Sequence, residues 1–339
     1  MRLSGVVVWL ALVALLAGCS TREPLYSQES YVFGTRVEVV VYGVKKPQAE
    51  QAIAAVLADF DRLHHRLHAW EPGELDQLNQ AFAEGRRVPV APDLAAILTD
   101  ATRLSDRSGG VFNPAIGNLI RLWGFQSDTF ASRLPSQQAI DALLVRHPVM
   151  DDIVIRNGQA YSINPAVRVD LGGYAKGYAL DVAAVTLRRY GIRDALVNIG
   201  GNIMVLGSHG GRPWRVGIQD PRRPEAMAEV DLHDGEAIGT SGDYQRYFEF
   251  DGRRYCHIID PATGWPAQGV RSVTVLIPPG PHAGVLSDVD SKPLFIAGPQ
   301  GWRAAAVRMG VVAAMLVDAQ GKVHLTPAMQ LRVKWNPRG

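Results

Sequence analysis

The chain has 339 residues, 47% of them hydrophobic and 20% charged, an ordinary globular composition long enough for one large domain or two packed lobes. A formal net charge of +2, with no like-charge block beyond pairs such as Arg188-Arg189 and Arg222-Arg223, excludes nucleic acid as a partner held through a basic face. Cysteine occurs only at Cys19 and Cys256, which excludes a disulfide-stapled scaffold.

At the N-terminus Arg2 precedes the apolar run Val6–Ala17. The run is too short for a bilayer span, which takes roughly 20 residues, and fits a secretory h-region. Leu16-Ala17-Gly18-Cys19 resembles a bacterial lipobox, where cleavage precedes a cysteine that is then lipidated. Three segments are therefore expected: a signal peptide over 1–18, a lipidated polar tether over 19–29 and a domain over 30–335. The domain would sit on the periplasmic side of the cell envelope, held to a membrane through lipid on Cys19. Inner and outer membrane both remain open, and Cys256 is left without a disulfide partner.

Ser30 to Gly43 is Val-rich and alternating, a strand signal. Ile53, Val56, Leu57, Phe60, Leu63 and Leu67 recur at helical spacing, predicting a helix over about 47–69. A second helix runs from Pro92 to about Ser108, with proline in its first turn and Gly109-Gly110 closing it. A third spans Pro135 to His147 with Ser136 as N-cap. The chain then becomes strand-rich, at about 152–163, 194–206, 214–219, 227–233, 245–260 and 271–277, interrupted by a helix over about Ala175–Tyr190. An apolar segment around 288–297 precedes a last helix-then-strand pattern. The mixture predicts an α+β fold, with mixed and antiparallel sheets packed against helices, not a doubly wound parallel sheet.

Several stretches could carry chemistry. Val169–Asp181 joins a strand to a helix through Gly172-Gly173, where backbone can approach an anion at a helix N-terminus; a tight structural turn is the alternative. Tyr247–Phe250 and Arg254–Ile258 read as a hairpin across Asp251-Gly252, which brings Thr240-Ser241, His257 and Asp260 towards one end. Ser241 could serve as a nucleophile with His257 as base, but no GxSxG elbow is present, and a structural hairpin with a solvent-facing histidine explains the same residues. His64 and His68 form an i, i+4 pair that could ligate zinc given a third ligand, or simply occupy a partly exposed helix face. Gly109–Phe125 sets Phe112, Trp123 and Phe125 around Asn113 and Asn118, either as core or as a platform for a flat ring.

Taken in order, Phe33-Gly34-Thr35, Trp70 with Glu74-Leu75 and Asn79, Gly110–Phe125, Asp170–Asp181, Thr240–Asp243 and His257–Gly264 resemble the motifs of the ApbE family, the FAD:protein FMN transferases. Asn198–Gly207 is similar to a glycine-rich strand pair of that family, and the resemblance covers nearly all of the chain after the tether. It implies an ApbE-like, T-fold-related architecture and transfer of FMN from FAD to a Thr or Ser hydroxyl of an exported acceptor flavoprotein, such as a redox-pump subunit, releasing AMP. FAD hydrolysis is a variant of the same chemistry, and an FAD-binding carrier that performs no reaction is the rival. Residue by residue, the resemblance implies that Phe33, Trp70, Val111, Phe112, Asn113, Asp170, Lys176 and Ile258 contact FAD. It implies His257 as general base on the acceptor hydroxyl, and a magnesium ion (Mg2+) held by the Gly173 carbonyl, Asp288 and Ser291.

Three positions depart from the family pattern. Phe33 stands where methionine is usual, Asn113 where aspartate is usual, and Lys292 where the second metal segment has threonine. A lysine ammonium cannot ligate a hard cation. Ser291 replacing the lost hydroxyl, Asp290 adding a carboxylate, or Lys292 taking over part of the ion's charge are the open outcomes.

Overall fold

A computed structural model describes residues 24–127 and 133–336. The signal segment and Cys19 lie outside these residues. Eight strands form the central sheet: β1 (Leu25–Val32), β2 (Thr35–Tyr42), β3 (Asp194–Ile199), β4 (Asn202–Leu206), β5 (Ala237–Gly242), β6 (Val270–Ile277), β7 (Ala313–Asp318) and β8 (Val323–Leu325). Their order across the sheet is their order along the chain, and every neighbouring pair is antiparallel.

Both faces of this sheet are covered, so alternation along a strand sends residues to two different cores. Val37, Val39 and Val41 of β2 join the core beneath the helices, while Val40 faces a second core shared with Trp214, Val216, Val230 and Leu232. The latter four belong to a three-stranded sheet of Trp214–Gln219, Ala226–Leu232 and Val333–Trp335.

The helical layer comprises α1 (Lys46–Leu67), α2 (Glu74–Ala83), α3 (Pro92–Ser108), α4 (Gly117–Leu122), α5 (Gln137–Leu144), α6 (Ala175–Arg189), α7 (Ala283–Val289) and α8 (Ser291–Met309). Helix α1 buries Ile53, Val56, Phe60, Leu63 and Leu67. Helix α3 ends on Gly109 in the left-handed conformation, and Ser136 caps α5 by accepting from the Ala139 amide at 3.2 Å.

Three expectations change. The strand signal at 30–43 is a hairpin, because Phe33 (φ 56°) and Gly34 (φ 67°) turn the chain between β1 and β2. Leu25–Glu29, expected as tether, therefore belong to the edge strand β1. The segment around 288–297 is the junction of α7 and α8, and α8 kinks where Gly298 adopts φ 69° ahead of Pro299. The hairpin Tyr247–Phe250/Arg253–Cys256 does turn on Asp251 (φ 48°) and Gly252 (φ 70°), but its second strand stops at Cys256, leaving His257 just past the ladder.

Candidate active site

A cavity of about 640 Å³ opens between the helical layer and the β4–β5 end of the sheet, within the usual range of cofactor sites. Its walls come from the β1–β2 turn, the end of α1, the loop before α4, the loop before α6, strand β5, the segment after the hairpin, and the α7–α8 junction. Phe33, Trp70, Val111, Phe112, Asn113, Asp170, Gly173, Lys176, His257, Ile258 and Asp288, all singled out from the sequence, line it, as does Lys292.

Trp70 is held edge and face. Its indole N–H donates to Asp170 Oδ2 at 2.9 Å, and the Arg168 guanidinium lies 4.4 Å from the ring centroid. The other oxygen of Asp170 accepts from the Gly172 amide at 2.8 Å, so Asp170 ties the indole to the glycine turn. Asn113 spends its amide on backbone, donating to the Pro148 carbonyl beyond α5 and accepting from the Ala115 amide of its own loop.

His257 hangs from the backbone of Arg246. Its amide donates to the Arg246 carbonyl at 3.0 Å, and Nδ1 lies 3.2 Å from the same oxygen. A carbonyl can only accept, so Nδ1 carries the proton in that bond and Nε2 keeps its lone pair. Burial, followed by the Lys176 ammonium, presses the imidazole pKa down to about 3, far below the ordinary ~6.5. The ring is therefore neutral at physiological pH. Beside it an aromatic cluster of Trp123, Phe125, Phe248 and Tyr255 stiffens the hairpin that delivers it.

Asp288, 3% exposed, is enclosed by positive groups. Lys292 Nζ lies 2.7 Å from its Oδ1 and 2.6 Å from its carbonyl oxygen. Lys176 Nζ stands 3.9 Å from Oδ2, and the Gly177 amide donates to that oxygen at 3.1 Å. Burial alone would raise the Asp288 pKa, but the two ammonium groups hold it at about 2. Asp181 supports the arrangement from behind by accepting from the Gly284 and Val285 amides at 2.8 and 2.9 Å, at the start of α7.

The magnesium ion implied by the resemblance does not fit these donors. Lys292 bonds the Asp288 carbonyl oxygen and Oδ1, and the Gly177 amide bonds Oδ2, while a Cβ built on Gly173 would fall 2.6 Å from the lysine Cε. Ser291 spends its hydroxyl on the Asp288 carbonyl (3.0 Å) and on Ser241 (2.7 Å). Asp290 turns away to pair with Arg107. A dication placed ~4 Å from the ammonium would be repelled by about 8 kcal/mol at an effective dielectric of ~20.

Glu71 does stand near His64 and His68, their ligand atoms within 4.8 Å of one another. However, His68 Nδ1 accepts from the Trp70 and Glu71 amides, which leaves its Nε2 protonated and unsuited to a metal. These side chains act as cavity wall.

Two contributors escaped sequence reasoning. Arg246 supplies a carbonyl, a role no side-chain pattern reveals. Asn202 is 3% exposed, lines the cavity and has no partner for its amide nitrogen among the described residues.

The sequence profile of the ApbE family matches residues 33–316. The chain belongs to the ApbE family. An FAD:protein FMN transferase of Rhodobacter capsulatus is 44% identical over 311 residues, covering 92% of this chain and 59% of that protein; this chain thus spans well under two thirds of that relative's length. The FAD:protein FMN transferase of Klebsiella pneumoniae is 33% identical, covering 92% of this chain and 93% of its own. The crystal structure of the ApbE protein of Thermotoga maritima superposes with a TM-score of 0.83 at 30% identity, over 91% of this chain and 99% of that one. The α+β expectation holds, in the ApbE arrangement.

Proposed function

We propose that this ApbE-family chain transfers FMN from FAD to a Thr or Ser hydroxyl of an exported acceptor flavoprotein and releases AMP. The observation that carries the reading is a neutral His257, its Nε2 free, in the same cavity as two ammonium groups and a wall of aromatic rings. The rings of Phe33, Trp70 and Phe112 suit flat heterocycles, and Lys176 and Lys292 suit a pyrophosphate. The acceptor oxygen bonds to the FMN-side phosphorus while that phosphorus releases the bridging oxygen. AMP leaves with the bridging electron pair, and the hydroxyl proton passes to His257 Nε2.

The test incubates the chain with FAD and a flavoprotein acceptor, followed by mass and flavin fluorescence of the denatured acceptor. Expected is an FMN adduct with equimolar AMP, lost by a factor of roughly 10² to 10⁴ in His257→Ala while FAD binding persists. AMP without adduct would make the protein a pyrophosphatase, and tight FAD binding without AMP would make it a carrier.

The lipobox-like segment extends the proposal: the enzyme works on the periplasmic side of a bacterial envelope, anchored through lipid on Cys19. Labelled palmitate should enter the chain in cells and be absent from Cys19→Ala; equal labelling of both would end the anchoring idea.

A further inference from the structure

The cation in this site is part of the chain. We propose that Lys292 itself binds the FAD pyrophosphate and that the reaction needs no divalent ion, with Asp288 serving as the anchor of an ammonium and not as a metal ligand. The inference rests on the flavin-transfer reading above.

Three features of the geometry carry it. An ammonium has three N–H donors; the Asp288 carbonyl and Oδ1 take two, and the third is left for the cavity that Lys292 lines. The lysine stem lies over Gly173, where a Cβ would meet Cε at 2.6 Å and Cδ at 3.0 Å and push the stem aside. Finally, the two side chains that could replace the missing threonine are committed elsewhere, Ser291 to Ser241 and the Asp288 carbonyl, Asp290 to Arg107.

A lysine in the first turn of α8 opposes the helix dipole, and a buried ammonium is costly without partners. Asp288 offsets both in part, burial still drawing the lysine pKa below its ordinary value, and what remains is a positive wall of Lys292 and Lys176. Such a wall suits an anionic diphosphate. In the reaction the acceptor oxygen bonds to the FMN-side phosphorus as the bond from that phosphorus to the bridging oxygen breaks. The electron pair departs with AMP, the proton goes to His257, and Lys292 donates a hydrogen bond to the departing phosphate and ends unchanged.

The experiment uses the full chain in mild detergent and three readouts: Mn2+ uptake by electron paramagnetic resonance without flavin, FAD affinity with magnesium or with EDTA, and adduct formation under both conditions. Wild type should take up no stoichiometric Mn2+, hold FAD within about twofold in EDTA, and transfer equally well there. Lys292→Met should lose about tenfold or more in FAD affinity, the scale of a charge-assisted hydrogen bond. Lys292→Thr should acquire an Mn2+ site and make FAD binding magnesium-dependent. Stoichiometric Mn2+ on wild type that Asp288→Asn removes, or a tenfold drop of wild-type FAD affinity in EDTA, overturns the proposal. Should either variant fail to fold, the wild-type arms decide alone. Should wild type bind FAD but form no adduct in either condition, the transferase reading fails while Mn2+ and FAD affinity still judge Lys292.

Discussion

A histidine whose Nδ1 is tied to a backbone carbonyl is a base with a fixed direction. At His257 that direction comes with a depressed pKa of about 3, caused first by burial and then by Lys176. The sign of the linkage follows. The folded chain binds fewer protons at this site than the unfolded chain between the folded value and ~6.5, so stability is present above ~6.5 and is lost as pH falls towards the folded value. Removing the imidazole removes that loss. His257→Gln should therefore shed stability less steeply than wild type between pH 6.5 and 4, by at most about 1.4 kcal/mol per pH unit. Urea midpoints at several pH values measure it, and parallel curves for the two proteins would mean that the ring is not held neutral by its surroundings. His257 could be named from its motif, but its ordinary pKa could not stand for its real one, because the burial and the Lys176 ammonium that depress it depend on distant parts of the chain. Lys292 was visible in the same partial way. Its type already argued against a metal ligand, whereas its partners and its fit over Gly173 needed coordinates.

At the scale of elements, the carboxylate that holds Lys292 depends on how closely α6 and α7 approach. A Cβ at Gly177 would meet the Gly284 carbonyl at 2.4 Å and the Val285 Cα at 2.7 Å, and one at Gly284 would meet the Gly177 carbonyl at 2.4 Å. The two glycines set the helix spacing, and the Gly177 amide bonds Asp288 directly. Gly177→Ala should cost about 1–3 kcal/mol by overpacking and weaken FAD binding with it, as read from denaturant midpoints and FAD titration. Wild-type values for both would show that this contact is slack. Helices with one apolar stripe, such as α1, were legible to within a residue or two because their buried face repeats at helical spacing. The turn at Asp251-Gly252 was legible because that pair favours positive φ at both positions. Phe33 broke the same rule: a bulky residue at φ 56° hides a hairpin inside what reads as one valine-rich strand. The end of the strand at Cys256 was hidden because Tyr255, Cys256, Ile258 and Ile259 are all buried, so no alternation marks where pairing stops.

At the scale of the whole molecule, strand order equals chain order in the central sheet, yet the cavity does not share that simplicity. Its lining runs from Tyr31 to Ile296, drawing on most of the chain. A nascent chain thus lays down its sheet progressively, strand beside strand, while the cavity waits for the last wall. Until the α7–α8 junction has emerged there is neither Asp288 nor Lys292, and the earlier segments can offer a nucleotide only rings, a base and the Lys176 ammonium. On the flavin-transfer proposal, FAD capture belongs to the finished chain, and a stop codon just before residue 288 would leave a partial sheet and a cavity without Asp288 and Lys292.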